Sequence, residues 1–240
     1  MTASHGGLHI ESDWADALRQ AGLDRFEALY NAPLTGPQSV RDHSRTGRLV
    51  LEDGRALYVK CAARTSVKRI ATDMLCLRRP EPISERERRG LLQAAEAGIT
   101  VPRPVAWGQR RRAGLPWRGV LAMTLLPGAA LDQYLASAAN ADRASALAAT
   151  GKALRKLHEA GLNWPDLRVK HVYVDAGASV GLLDLERLKV CRGRAGRRMR
   201  RHVSRFCAEL RDAGARQDEL DVMLAAMGRP DALRGGAAGE

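Results

Sequence analysis

Two phenylalanines, four tyrosines and four tryptophans are all the aromatic side chains in 240 residues. Such scarcity argues against a stacking platform for single-stranded nucleic acid. No helix-turn-helix or zinc-finger pattern is present either. The four cysteines, Cys61, Cys76, Cys191 and Cys207, form no C-x-x-C pair, which fits reduced thiols better than a zinc site or a disulfide framework. No segment approaches the roughly 18 apolar residues needed to span a bilayer. The longest candidate, Gly119 to Leu131, is interrupted by Thr124, Pro127 and Gly128. The first residues combine no basic n-region with an apolar h-region, so the expectation is a chain without a signal peptide. Lysine is also rare, six against 39 cations in total.

What is present in quantity is arginine, alanine and positive charge. A formal net charge of +12 predicts attraction to a polyanion: nucleic acid, an anionic membrane face or a phosphorylated substrate. The arginine and alanine bias also fits a merely compositional origin. At 45% hydrophobic content the chain can bury a real core, in one compact domain or in two small lobes.

Local patterns place a helix near Asp13 to Asn31. Alternating strands follow over Arg48 to Cys61, on both sides of Asp53-Gly54, a dipeptide favoured by a type I′ hairpin turn. Period two puts Leu57, Val59 and Cys61 on one strand face, Tyr58 and Lys60 on the other. Ser84 reads as the N-cap of a helix ending near Gly98, with Glu87, Leu91 and Ala95 on one inward stripe. Strands over Pro104 to Gln109 and Gly119 to Leu126 are joined by a basic, Gly-containing loop. Helices follow over Leu131 to Ala139 and Ala141 to Ala160. This order, β-rich and then helical, is α+β. The Gly/Ala-rich tail after Gly228 reads as mobile.

The informative region runs from Leu157-His158 through Trp164-Pro165-Asp166-Leu167-Arg168-Val169-Lys170-His171 to Gly181-Leu182-Leu183-Asp184-Leu185-Glu186. A helix ends in Leu-His and a loop presents an Asp. A potential ligand stands five residues later, and a second Asp ends the next apolar strand. That is the order of a kinase catalytic loop and metal-binding strand. Taken singly, Asp166 after Pro165 is also ordinary turn chemistry, Asp184 a turn cap, Lys60 an edge-strand lysine and Glu87 part of a capping box with Ser84.

Over roughly residues 40 to 205 the chain resembles the lipopolysaccharide core kinases, bacterial heptose and Kdo kinases with a protein-kinase-like fold. His171 in place of Asn and Asp184-Leu185-Glu186 in place of D-F-G are shared features. The resemblance implies a bilobal α+β fold: an N-terminal helical extension (1–39), a nucleotide-binding lobe (40–126), a helical catalytic lobe (127–228) and a tail (229–240). It implies Asp166 as the carboxylate that orients the acceptor hydroxyl and takes its proton. Asp184 corresponds to the magnesium ligand, with His171 beside the metal, bonding to its water or to a phosphate. Lys60 corresponds to the lysine that neutralises the phosphates of ATP, held by Glu87. Thr46 and the backbone near Gly47 stand where a glycine-rich loop would cover the phosphates, although G-x-G-x-x-G is absent. Met123 and Leu125 stand on the connector beside the adenine.

The triplet Trp164-Pro165-Asp166 lacks the arginine that reads a phosphorylated activation loop, so no such activation is expected. Instead Arg187 to Arg205 carries nine Lys or Arg. This run is either a surface that binds phosphates and anionic headgroups or a solvated helix face. Arg168, Lys170, Arg187, Arg197 and Arg198 are the candidate contacts to the acceptor. The implied reaction is transfer of the ATP γ-phosphate, with Mg2+, to a heptose or Kdo hydroxyl of the lipopolysaccharide inner core. The implied partners are a lipid A–core precursor and the anionic cytoplasmic face of the inner membrane, with no nucleic acid. The alternatives are a kinase of another small molecule or of a protein, and, from another class, a basic nucleic-acid-binding or scaffolding protein with relic kinase residues.

Overall fold

Glycines and turns punctuate the chain, and two hairpins show how. Ala113 and Gly114 both have positive φ, 50° and 76°, the requirement of a two-residue type I′ turn. They join β6 (Pro104–Arg112) to β7 (Leu115–Thr124), with Arg112 opposite Leu115. The expected loop between these strands is therefore a tight turn. The type I′ turn expected at Asp53-Gly54 is absent. There Gly54 alone has positive φ, Gly54 N–H donates to Leu51 O, and Leu51 N–H donates to Arg55 O. That is a three-residue loop with a bulged glycine. Asp53 stays out of the left-handed region because its carboxylate accepts from Arg55 N–H at 2.9 Å and Arg55 Nε at 2.7 Å.

The structure is a computed structural model. It describes all residues except 1, 6, 42–43, 64–66, 76, 78–79, 192–195 and 229–240, and describes only the backbone for 2–5, 37–41, 67–69 and 196–198. The tail after Gly228 and Cys76 thus lie outside the described residues. The described chain divides into two units, Met1–Leu91 with Pro102–Leu125, and Leu92–Val101 with Leu126 onward.

The first unit is built on an antiparallel sheet in the order β1-β2-β6-β7-β5-β4-β3. Its other strands are β1 (Thr2–His5), β2 (Leu8–Glu11), β3 (Thr35–Arg41), β4 (Ser44–Val50) and β5 (Ala56–Ala62). Leu8, Ile10, Leu57, Val59, Val120 and Ala122 from the strands are buried with Leu18, Phe26 and Leu29 from two helices. Those helices are α1 (Ser12–Gln20) and α2 (Phe26–Asn31). One continuous helix was expected here. Gly22 at φ 67° breaks it, with Leu23 N–H returning to Leu18 O at 2.7 Å, a glycine-terminated helix end. The sequence reading had no place for β1 and β2, although β2 pairs with β6 through Leu8–Gly108 and Ile10–Ala106.

Two further helices, α3 (Val67–Leu75) and α4 (Ile83–Glu96), follow β5. Ser84 does not cap α4. The helix starts one residue earlier, with Glu85 and Arg86 N–H groups donating to Pro82 O. Ser84 is buried in the first turn, where a Cβ on Gly119 of β7 would stand 2.1 Å from its Oγ. Glu87, Leu91 and Ala94 form the buried stripe, and Ala95 is exposed. At 100° per residue, 87, 91 and 94 share a narrower face than 87, 91 and 95.

In the second unit a three-stranded sheet, β11-β10-β8, comprises β8 (Ala129–Ala130), β10 (Val172–Val174) and β11 (Val180–Leu182). A two-stranded ladder pairs β9 (Leu162–Asn163) with β12 (Lys189–Val190). Around them lie α5 (Leu131–Ser137), α6 (Asn140–Glu159), α7 (Gly196–Asp212) and α8 (Gln217–Ala226). Gly151 on α6 lets the backbones close up, since a Cβ there would stand 2.2 Å from Met223 O of α8. In α7 the basic run turns out to be amphipathic. Met199, Val203, Phe206, Cys207 and Leu210 are buried at helical spacing, and Arg200, Arg201, Arg205 and Arg211 are exposed on the remaining faces. Among the described residues, Cys61, Cys191 and Cys207 are free thiols. No described helix is long and apolar enough to cross a membrane.

Candidate active site

Lys60 reaches its place through sheet alternation. In β5, Leu57 and Val59 are wholly buried, so Tyr58 and Lys60 must project from the opposite face. Lys60 Nζ stands 3.1 Å from Oε1 of Glu87, with the lysine side chain 16% and the glutamate 0% exposed. A carboxylate taken so fully from water needs a cation beside it. The pairing accounts for a charged residue on the apolar stripe of α4 in a way that a capping box does not. Thr46 lies opposite Lys60 in the β4–β5 ladder and Gly47 opposite Val59. A Cβ on Gly47 would stand 2.8 Å from Leu34 Cβ, so glycine there also serves packing. Met123, opposite Tyr58 in the β5–β7 ladder, is buried, while Leu125 is 40% exposed.

In the second unit, α6 ends at Glu159 and Gly161, at φ 68°, turns the chain into β9. The loop Trp164–Arg168 is then held from three directions. His171, in the 3-10 turn Val169–His171, donates from Nδ1 to the backbone carbonyl of Asp166 at 3.0 Å. Arg205 of α7 donates through Nη2 to Pro165 O at 2.6 Å and to Leu167 O at 3.4 Å. Glu209 accepts from Val169 N–H at 3.2 Å and pairs with Arg168 Nε at 2.5 Å. The carbonyls of Pro165, Asp166 and Leu167 are thus satisfied by side chains, and the carboxylate of Asp166 is turned outward. The Asp166 side chain is 30% exposed, and Oδ1 accepts from Arg187 Nη1 at 3.1 Å.

Asp184 follows β11 in an unusual conformation, φ 63°, a region a non-glycine residue rarely occupies. Two bonds hold it there: Trp164 Nε1 donates to Asp184 O at 3.2 Å, and Leu183 N–H donates to His171 O at 2.9 Å. The result aims the carboxylate at the imidazole, with His171 Nε2 3.4 Å from Asp184 Oδ2. Since Nδ1 carries the proton donated to Asp166 O, the neutral tautomer presents a lone pair at Nε2 next to a carboxylate oxygen. Two such electron-rich atoms are compatible at that distance when a proton or a cation accompanies them. A hard carboxylate oxygen with an imidazole beside it suits a divalent cation, so these residues fit a metal.

The sequence reading therefore named Asp166, His171 and Asp184, and the structure brings those three together. It also brings Lys60 to Glu87. Of the proposed acceptor contacts, Arg168 is engaged by Glu209, Arg187 by Asp166, and Lys170 is exposed. Arg197 and Arg198 stand in the first turn of α7, and their side chains lie outside the described residues. Sequence reasoning missed Arg205, Glu209, Trp164, Asn163 and His202. His202 Nδ1 meets Asn163 Oδ1 at 3.1 Å. Burial first, and then the Arg205 guanidinium, hold this imidazole below the ordinary histidine range. One signal was available: Glu209 is the sole acid between Arg187 and Arg211, and an isolated acid in a basic helix points to a specific partner.

The fold and sequence have recognisable relatives. WaaP, solved in complex with acyl carrier protein, superposes with a TM-score of 0.68 at 19% identity, over 92% of this chain and 88% of that one. WbdD superposes with a TM-score of 0.52 at 17% identity, over 86% of this chain. A co-crystal of WbdD with the kinase inhibitor LY294002 gives 0.55 at 18%, over 85%. This chain spans about half of WbdD, 48% in both cases. At these identities the likeness is one of fold, that of a protein-kinase-like protein. No curated protein sequence matches the chain. The profile of the lipopolysaccharide kinase (Kdo/WaaP) family, however, matches residues 38–206, a stretch that contains Lys60, Glu87, Asp166, His171 and Asp184. The chain belongs to the lipopolysaccharide kinase (Kdo/WaaP) family, phosphotransferases that act on sugar hydroxyls of lipopolysaccharide.

Proposed function

We propose that Asp166 is the residue that orients the accepting sugar hydroxyl of the inner core and takes its proton as the ATP γ-phosphate is transferred. The observation that carries this reading is the linkage of Asp166, His171 and Asp184. One imidazole bonds the backbone of the first residue through Nδ1 and faces the carboxylate of the second through Nε2. Such an arrangement fixes the distance between a proton acceptor and a metal-binding carboxylate, which is the geometric need of phosphoryl transfer.

In this reading Asp184 holds Mg2+, with His171 as its neighbour, and the ion supplies charge neutralisation at the transferring phosphate. Lys60, kept in place by Glu87, neutralises the nucleotide phosphates. Thr46 and the backbone at Gly47 donate to them, and Met123 and Leu125 flank the adenine. Residues 40–126 thereby form the nucleotide-binding lobe and 127–228 the catalytic lobe, after an N-terminal segment 1–39. Arg168, Lys170, Arg187, Arg197 and Arg198 contact the anionic acceptor. The acceptor is a heptose or Kdo of a lipid A–core precursor, met at the cytoplasmic face of the inner membrane. A net charge of +12 supports binding to such a surface, since each basic residue near an anionic leaflet contributes about 1 kcal/mol. By likeness to the WaaP complex, an acyl carrier protein is a candidate partner.

The test is transfer of label from γ-labelled ATP to an unphosphorylated inner-core acceptor, with heptose and Kdo positions resolved by mass spectrometry. Labelled sugar supports the reading. Label appearing only on protein or on an unrelated small molecule would overturn it.

A further inference from the structure

We propose that Arg187 reads a negative charge on the acceptor and uncovers Asp166 as it does so. The inference rests on Asp166 being the carboxylate that faces the accepting hydroxyl.

Immediately after Asp184 the chain closes a tight turn, with Leu188 N–H donating to Leu185 O at 3.0 Å. Arg187 stands at that turn with its side chain 52% exposed and places Nη1 3.1 Å from Asp166 Oδ1. The oxygen that must receive the hydroxyl proton is therefore occupied by a guanidinium. The lone pair of Oδ1 that would accept the hydroxyl is already taken by the guanidinium N–H.

Three guanidiniums surround the loop, and they are not equivalent. Arg205 is bonded to the carbonyls of Pro165 and Leu167, and Arg168 is paired with Glu209. Both hold the loop in shape. Arg187 has Asp166 as its one partner among the described residues. An ion pair this exposed is weakly held. A phosphate or carboxylate on the acceptor offers a guanidinium two oxygens in place of one, which is the stronger geometry. An anionic acceptor thus draws Arg187 to itself and leaves Oδ1 of Asp166 to the hydroxyl. A neutral acceptor, or water, meets a covered base. Recognition of charge and readiness of the base become one event, and acceptor-free loss of ATP to water is suppressed. Arg187 is in these terms a positioning residue that acts through Asp166.

The ligand chemistry is a carboxylate or a phosphate on the acceptor, and two sources can supply it: the ulosonate carboxylate and the lipid A phosphates. The experiment measures kcat/KM of the wild-type protein, Arg187→Gln and Arg187→Lys on one Kdo-containing core acceptor in three forms: intact, methyl-esterified at the carboxylates, and dephosphorylated on lipid A. In parallel, ATP hydrolysis is followed without acceptor. The wild-type protein should prefer the intact acceptor. Arg187→Gln should reduce that preference about tenfold, the loss of a charge-assisted bidentate contact, and Arg187→Lys should keep part of it. Acceptor-free hydrolysis should rise several-fold in Arg187→Gln, a change that a merely structural residue would not produce. Loss of the Arg187 effect on esterification names the carboxylate, and loss on dephosphorylation names the phosphate.

An unchanged preference across all three acceptors, or unchanged acceptor-free hydrolysis, overturns the proposal. Asp166→Asn run alongside separates the two layers. If it is inactive while Arg187→Gln behaves as wild type, the charge-reading role is lost and the base assignment stands; if it stays active, the base assignment itself has gone. Thermal unfolding of Arg187→Gln at the wild-type temperature certifies that the exposed side chain was removed without loss of fold.

Discussion

His171 faces Asp184 across 3.4 Å through one ring nitrogen while its other nitrogen donates to the backbone of Asp166. A single imidazole thereby ties the loop carrying one acid to the strand end carrying the other. Replacing it should disturb both. His171→Ala should raise the magnesium concentration needed for half-maximal activity by roughly 10–100-fold, the usual consequence of losing a residue that orients a ligand. A metal titration of initial rate reads this out. His171→Asn, which keeps a donor for Asp166 O, should recover part of the loss, and a magnesium dependence equal to wild type in His171→Ala would count against the linkage.

The Lys60–Glu87 pair joins a strand to a helix with the carboxylate wholly buried. Removing the glutamate leaves an ammonium with little water, so Glu87→Gln should cost about 3 kcal/mol in chemical denaturation. Lys60→Met should lower turnover with ATP by on the order of 10²-fold. In the double variant the stability losses should fall short of their sum, because the two side chains share one interaction. Strict additivity would mean that the pair contributes nothing as a pair.

Acid stability should depend on Glu219. Its carboxylate, on α8, accepts from Arg143 Nε at 2.9 Å and Nη2 at 3.0 Å and from Arg216 N–H at 2.8 Å. The Arg143 hydrogen bonds first, against the opposing effect of burial, bring its pKa down from 4.5 to about 2. A depressed folded-state pKa stabilises above the unfolded value and the gain disappears as pH falls through the folded value. Glu219→Gln should therefore be clearly less stable than wild type at pH 7, and the gap should narrow between about pH 4.5 and about pH 2. Thermal unfolding of both proteins across that window checks it. A gap independent of pH would place the stabilisation elsewhere.

Gly128, just before β8, has φ 88°, and a Cβ there would stand 1.9 Å from Val174 O. Both the conformation and the contact exclude a side chain. Gly128→Ala should cost about 2–4 kcal/mol through strain and overlap, measured by denaturant unfolding.

The sequence exposed those parts of the candidate site that depend on chain-local order. Asp166, His171 and Asp184 are separated by one short strand pair, so their spacing alone implies proximity. Lys60 was legible because period-two alternation is strict, and Glu87 because a charge on an apolar helical stripe demands a partner. What stayed hidden depends on tertiary packing. Ser84 carries a good capping side chain, yet Gly119 lets it be buried and Pro82 takes the helix start. Asp53-Gly54 has type I′ chemistry, yet the bond that Arg55 N–H donates to the Asp53 carboxylate keeps it in another turn, while Ala113-Gly114, with weaker chemistry, adopts the I′ form. Arg205 and Glu209 were unreadable as loop supports because α7 lies far along the chain, and its amphipathic spacing was masked by the density of arginine.

On the proposed reading Asp166 acts in the transfer step rather than in binding, and single-turnover transfer by Asp166→Asn, with ATP affinity measured on the same protein, separates the two. The account predicts a fall in transfer rate of about 10²–10⁴-fold with ATP binding preserved and the fold intact. Transfer at the wild-type rate, or a loss explained wholly by weaker ATP binding, would contradict it.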